Sequence, residues 1–370
     1  MPKLMKVFYD SRAMANPIPP VAGTRRRMTV IRAWLFGVAA LVVLMISLGG
    51  ATRLTGSGLA ITEWKPIVGM LPPLSDTDWQ EAFGKYQQIP QYQHTNRGMS
   101  LADFKVIFWW EWAHRNLGRL IGIAYAVPLL LFVAAGFVSR RLGLKLVGIL
   151  ALYGIQGFVG WYMVSSGLTE RIDVSQYRLA LHLGLAVLIL GALLWTALSL
   201  READAAQATR SVWAGRAAGG IVVLVFVQIL LGALVAGLKA GQAYNTWPLM
   251  DGRMIPAGLG AMQPWYLNLF ENAMTVQFNH RVAAYLLGLA ILWRAAAVLR
   301  SGSHAAEFRS ACYLALATVV QVGLGIWTLL SQVPLALAIA HQAMAASVFA
   351  LAVWHLYESR HPRPVWQCET

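Results

Sequence analysis

Apolar residues fall in long blocks along this chain, separated by short polar stretches and by two long ones. At roughly 20 residues per membrane crossing, the pattern predicts eight spans. They lie at about 31–52, 114–137, 144–165, 179–200, 217–238, 280–299, 310–330 and 335–357. The expected fold class is an all-α polytopic membrane protein. Two segments, about 53–113 and 239–279, are longer than a bare connection needs, a length that points to function.

The blocks repeat. Gly49-Gly50-Ala51 closes the first span, and Leu231-Gly232-Ala233 closes the fifth. Trp64-Lys65-Pro66 follows the former, and Trp247-Pro248 follows the latter at nearly the same distance. Gln156 and Gln321 are each followed four residues later by glycine, Gly160 and Gly325. Four spans per unit leave both units in the same orientation, so the axis relating them runs along the membrane normal. The expected architecture is therefore eight transmembrane helices arranged as two pseudo-symmetric four-helix bundles. The organisation reads as an arm at 1–30, a first half at 31–200, a linker at 201–216, a second half at 217–358 and a tail at 359–370.

Composition agrees, because 58% of the 370 residues are hydrophobic and only 12% charged, about half the charge of a soluble domain. A net charge of +14 would suggest nucleic acid, but the basic residues flank apolar runs as membrane orientation requires. Nucleic acid is not an expected partner; membrane lipid is. Arg25, Arg26, Arg27 and Arg32 place the N-terminus on the cytoplasmic side. Alternation then puts Arg140, Arg141, Lys145, Arg201, Arg210, Arg216, Arg294, Arg300, Arg309, Arg360 and Arg363 on that same side. Both termini are expected to be cytoplasmic, in an inner (cytoplasmic) membrane. No small-residue cleavage site follows the first apolar run, which is expected to stay as a helix. Cys312 and Cys368 are too far apart in the sequence, and on the wrong side, to indicate a disulfide or a thiolate metal site.

Chemistry concentrates at two related stretches, Glu111-Trp112-Ala113-His114-Arg115 and Gln277-Phe278-Asn279-His280-Arg281. His182 and His341 open two further spans. On the predicted topology all four histidines lie at one depth, toward the outer face. Ionisable residues in membrane spans are functional candidates by default. Two facing histidines in a helix bundle suit a heme iron held from both sides. Each histidine has a small residue one turn on, Gly118, Ala186, Ala284 and Ala345, with Gly122 and Gly288 a turn further. Small residues also serve helix packing alone. Zinc would need further ligands that do not accompany each pair. His94, His304, His355 and His361 fall outside the repeat and read as loop or helix-end residues. Arg115 and Arg281 are candidate partners for heme propionates, with interfacial snorkelling as the plainer role.

The two stretches differ at one position. Glu111 lies one turn before His114, where the second half has Gln277. A carboxylate can take a proton or stabilise developing positive charge, whereas an amide can only hydrogen-bond. The first half therefore reads as chemically active and the second as a resident electron-transfer site. A non-catalytic diheme electron carrier would use the same histidines but needs no acid at one heme only. A transporter would show broken helices and mid-membrane charges, and few charges fall within the spans.

From about residue 31 to 358 the chain resembles heme A synthase, the membrane enzyme family that converts heme O to heme A for cytochrome oxidase. The most specific stretches are Gly49 to Leu59 (GGATRLTGSGL), Thr62-Glu63-Trp64-Lys65-Pro66, Glu111 to Arg115 and Asn279-His280-Arg281. The resemblance implies a heme b ligated by His280 and His341, substrate heme O between His114 and His182, and Glu111 in catalysis. It implies oxidation of the heme O C8 methyl to a formyl group through hydroxylated intermediates. Heme O, heme O synthase and an electron donor are the implied partners, and the small-residue-rich spans would allow a homo-oligomer. Arg53, Glu63 and Trp64 join the site region on the resemblance alone. The first outer loop lacks the cysteine pair carried by part of the family, so thiol-based redox input there is not expected.

Overall fold

A backbone in hydrocarbon must satisfy its own hydrogen bonds, so long apolar blocks fold as helices. The computed structural model describes residues 22–65, 68–169, 171–201 and 212–361. These form α1 (Ala22–Leu54), α2 (Asp76–Tyr86), α3 (Pro90–His94), α4 (Leu101–Ala134), α5 (Arg140–Ser165) and α6 (Gln176–Ser199). There follow α7 (Val212–Gly237), α8 (Ala240–Ala243), α9 (Ala273–Arg300), α10 (Ala305–Leu330) and α11 (Leu335–Arg360). Eight of them, all but α2, α3 and α8, are long and apolar enough to cross a membrane. The chain is an all-α, multi-pass membrane protein with no strand among the described residues.

The same pattern of neighbours occurs twice. In the first half α1 packs on α4, α4 on α5, α5 on α6 and α6 on α1; in the second α7 packs on α9, α9 on α10, α10 on α11 and α11 on α7. The halves meet through α6 with α7, α1 with α11, and α6 with α11. This arrangement is consistent with a pseudo-two-fold axis between α6 and α11. A shared apolar core runs through the seam, with Leu190, Leu193, Val348 and Phe349 fully buried. Gln342 of α11 fills the space left by Gly50 and donates to the Ile46 carbonyl at 2.9 Å. Near the histidine end of the seam, Asp173 pairs with both Arg53 and Lys239, at 3.5 and 2.7 Å. Glu271 accepts from Gln176 and Tyr177 at 2.7 Å each.

Two helices begin earlier than the hydrophobic pattern places them. Ser100 caps α4, its Oγ accepting from the Asp103 N–H, so His114 lies more than three turns inside the helix. Asn272 caps α9 by accepting from Met274 and Thr275, so the helix begins at Ala273, seven residues before His280. The added turns of α4 are amphipathic, and Phe104, Ile107 and Phe108 bury against Trp79, Phe83 and Tyr86 of α2. The first long segment is thus a packed cap, and Trp109, Trp110 and Trp112 belong to α4. Helix α1 likewise takes in Arg25, Arg26 and Arg27. The arm at 1–21, the linker at 202–211 and the tail at 362–370, with Arg210, Arg363 and Cys368, lie outside the described residues.

The end of the second half away from the four histidines corrects one expectation. His355 is neither a loop nor a helix-end residue but part of a buried polar network. Arg294 (α9), Glu307 (α10) and His355 (α11) are all buried. Arg294 donates to Glu307 at 2.5 Å and to His355 Nε2 at 3.2 Å. His355 Nδ1 stands 3.0 Å from Ser310 Oγ, and Ser359 donates to Glu307 at 2.9 Å. His304 is helix-terminal as expected, capping α10, but it is buried against α11. The network satisfies itself, so periodicity alone cannot reveal it. Removing one member of a buried ion pair costs about 3–5 kcal/mol because its partner stays behind uncompensated. Glu307→Gln should therefore lose stability of that order in mixed-micelle unfolding, while Arg294→Met with Glu307→Met should lose much less. A loss below about 1 kcal/mol for the single change would contradict the assignment.

Candidate functional site

Each of the four histidines reaches its position from a different helix, near the same end of the bundle. His114 is on α4, His182 on α6, His280 on α9 and His341 on α11. Helices α4 and α6 stand across the first ring rather than side by side, as do α9 and α11 across the second. The histidines thus form two cross-ring pairs, each within electrostatic reach of its mate. Among the described residues no three His, Cys, Asp or Glu side chains gather as a bare-metal site.

Glycines on neighbouring helices make room for the rings. A Cβ added at Gly49 would lie 3.1 Å from His114, and one at Gly160 would lie 3.0 Å from His182. The corresponding distances are 3.2 Å for Gly232 to His280 and 2.8 Å for Gly325 to His341. Contact with histidine makes Gly49, not Gly50, the counterpart of Gly232, a one-residue shift from the register the sequence suggests. Cβ atoms at Gly122 and Gly288 would meet nothing within 4 Å.

Three histidines also have a glutamine beside them. Gln156 Nε2 stands 3.3 Å from His182 Nδ1 and donates to the His182 carbonyl at 3.1 Å. Gln228 Nε2 stands 3.0 Å from His280 Nδ1 and donates to the His280 carbonyl at 3.0 Å. Gln321 Nε2 stands 3.4 Å from His341 Nε2. Sequence reading paired Gln156 with Gln321 but missed Gln228. The signal was present as glutamine followed four residues later by glycine, three times over.

Glu111 is 2% exposed, so it is not a solvated interfacial acid. Its Oε1 accepts Arg115 Nε at 3.0 Å and Nη2 at 2.7 Å, and its Oε2 accepts the Ile61 N–H at 2.7 Å. Arg115 also donates to the carbonyls of Ile61 and Glu63, at 2.6 and 2.9 Å. Two guanidinium N–H groups share one carboxylate oxygen and the Ile61 N–H takes the other, a charge-assisted arrangement that holds the carboxylate in place. It ties the Ile61–Glu63 strip of the loop to α4. The Glu63 carboxylate itself faces away, held below the usual carboxylate range by hydrogen bonds from Lys65 and Lys85 at 2.9 and 3.0 Å. Trp64 lines a cleft with Glu63, Arg115 and Trp161. Arg53 lies at the seam, donating to the Ala236 and Gly237 carbonyls.

In the second half the corresponding charges are not balanced. Gln277 Nε2 and Arg281 Nη2 both donate to the Tyr244 carbonyl, at 2.8 and 3.1 Å. Gln277 Oε1 and Arg281 Nε and Nη1 are buried with no hydrogen-bond partner, as is His341 Nδ1. A buried guanidinium without a counter-charge is costly. It fits a bound group that brings a carboxylate beside two histidines, as a heme with its propionates does. Arg115, by contrast, already has its carboxylate.

Comparison with known proteins agrees with this reading. The profile of the COX15-CtaA family, described as cytochrome oxidase assembly protein, matches residues 32–353. A heme A synthase of Parvibaculum lavamentivorans is 54% identical over 324 residues, covering 88% of this chain and 92% of the relative. One from a Chelativorans species is 51% identical over 95% of this chain and 97% of the relative. One from Rhizobium meliloti is 50% identical over 93% and 94%. The chain belongs to the COX15-CtaA family of cytochrome oxidase assembly proteins, the family of the heme A synthases, membrane-bound oxidoreductases of heme A biosynthesis.

Proposed function

We propose that this protein oxidises the C8 methyl of heme O to the formyl group of heme A, for use by cytochrome oxidase. The substrate sits in the first ring between His114 and His182. A heme b, held in the second ring by His280 and His341, would relay single electrons. The observation that carries the reading is the asymmetry between equivalent positions. Beside His114 a buried carboxylate is locked to Arg115; beside His280 an amide stands next to an uncompensated guanidinium.

Glu111 brings fixed negative charge into the first ring, paired on one side and one helical turn from His114. There it stabilises positive charge developing at the substrate methyl or takes up its proton. Arg115 and the Ile61 N–H hold the carboxylate in place, so no reorganisation is needed when that charge appears. Arg281 binds a propionate of the resident heme. A diheme electron carrier would use the same four histidines, but it has no need for the Glu111–Arg115 pair in one half only.

Orientation and partners follow from the same reading. Arg140, Arg141, Lys145, Arg300, Arg309 and Arg360 lie at helix ends opposite the histidines. With that end cytoplasmic, both termini are inside an inner membrane and the heme sites face outward. Heme O synthase is the source of substrate, and an external redox partner would exchange electrons with the second ring.

Glu111→Gln keeps the shape but loses the charge. Heme O conversion should fall by about 10²-fold or more while both hemes stay bound, as read by extracting and weighing the hemes of the purified variant. Full conversion would remove Glu111 from the mechanism. Arg281→Gln should weaken retention of heme b about tenfold, the worth of one charge-assisted bond, and leave the first-ring heme unaffected. Equal loss of both hemes would contradict the propionate role.

A further inference from the structure

The fourth histidine breaks a rule that the other three keep. On each neighbouring helix, the residue four before the histidine-contacting glycine is Gln156, Gln228 or Gln321; before Gly49 it is Met45. The three glutamines stand 3.0–3.4 Å from their histidine ring nitrogens. Their Oε1 atoms are buried and have no partner. At Gln156 and Gln228 the same amide N–H donates to the histidine's own carbonyl, at 3.1 and 3.0 Å, so one side chain holds both ring and backbone. A histidine that ligates a metal is oriented by contacts of this kind.

Met45 can do none of this. It has no N–H, its thioether is a poor acceptor, and its methyl lies 3.3 Å from where a Cβ on Gly118 would stand. Among the described residues no hydrogen bond reaches the His114 ring. The ring packs beside Gly49.

Resting on the function proposed above, we infer that Met45 is a positioning residue that makes His114 the weaker of the two substrate ligands. His114 is then the ligand that would let heme O load and leave. Each ligand of the resident heme has a glutamine beside it, Gln228 and Gln321. Of the two substrate ligands only His182 has one, Gln156. The difference matches what each ring must do, since a cofactor stays while a substrate loads and its product leaves. Losing one orienting hydrogen bond of this kind changes metal affinity about 10–100-fold, enough to separate a resident group from an exchanging one.

The test uses the full chain in lipid nanodiscs, with its resident heme in place and heme O added. Two rates are read: transfer of heme O to apomyoglobin, and carbon monoxide binding to the reduced first-ring heme. Met45→Gln should slow both about tenfold and leave the spectrum of the His280–His341 heme unchanged. Gln156→Met should speed heme O loss by a similar factor. Should Met45→Gln fail to fold, Gln156→Met alone decides, and an unchanged rate overturns the inference. Wild-type rates in Met45→Gln, or equal effects on both hemes, also overturn it. Wild-type protein that holds the resident heme but takes up no heme O contradicts the proposed function itself, and this inference falls with it.

Discussion

The site depends on seating four imidazoles among membrane helices that otherwise pack closely on one another. The contact that achieves this is an imidazole laid on a glycine of the neighbouring helix, made four times. A Cβ at Gly325 would force His341 to move, and one at Gly49, Gly160 or Gly232 would make its histidine give by a few tenths of an ångström. Because each pair spans the ring, the two imidazoles of a pair approach from opposite walls. That suits a flat group placed between them better than a bare ion, which would want three or four ligands converging.

What separates the halves is charge. In the first ring the buried acid and base cancel, leaving Glu111 fixed and its arginine occupied. In the second, Arg281 Nε and Nη1 have no hydrogen-bond partner among the described residues, a place that a carboxylate-bearing ligand would fill. Farther along the same helices the contrast continues. Fourteen residues after His280 and His341 stand Arg294 and His355, members of the buried network; fourteen after His114 and His182 stand Pro128 and Thr196. The second half has a buried ion pair, Arg294–Glu307, at the end where the first half has Pro128 and Thr196.

Much of this was legible in the sequence. Eight spans, the all-helical class and the four histidines follow from long apolar blocks and from ionisable residues at their ends. Helix starts were less legible, because the amphipathic turns before His114 are apolar only on the face that packs against α2, and a span search passes over them. The buried network was invisible for a related reason. Arg294, Glu307 and His355 are far apart in sequence and look like flanking charges until the helices place them together. Gln228 and Met45 were hidden by a one-residue shift of register. Glycine doublets such as Gly49-Gly50 allow two alignments, and only contact with a histidine chooses between them.

The most direct test of the account is a census of the hemes in the wild-type protein, purified from cells that make heme O, by reduced-minus-oxidised spectrum and by mass analysis of the extracted hemes. The account predicts heme B together with heme O, a hydroxylated derivative or heme A. Heme B alone, near two per chain, would contradict it and make the protein an electron carrier.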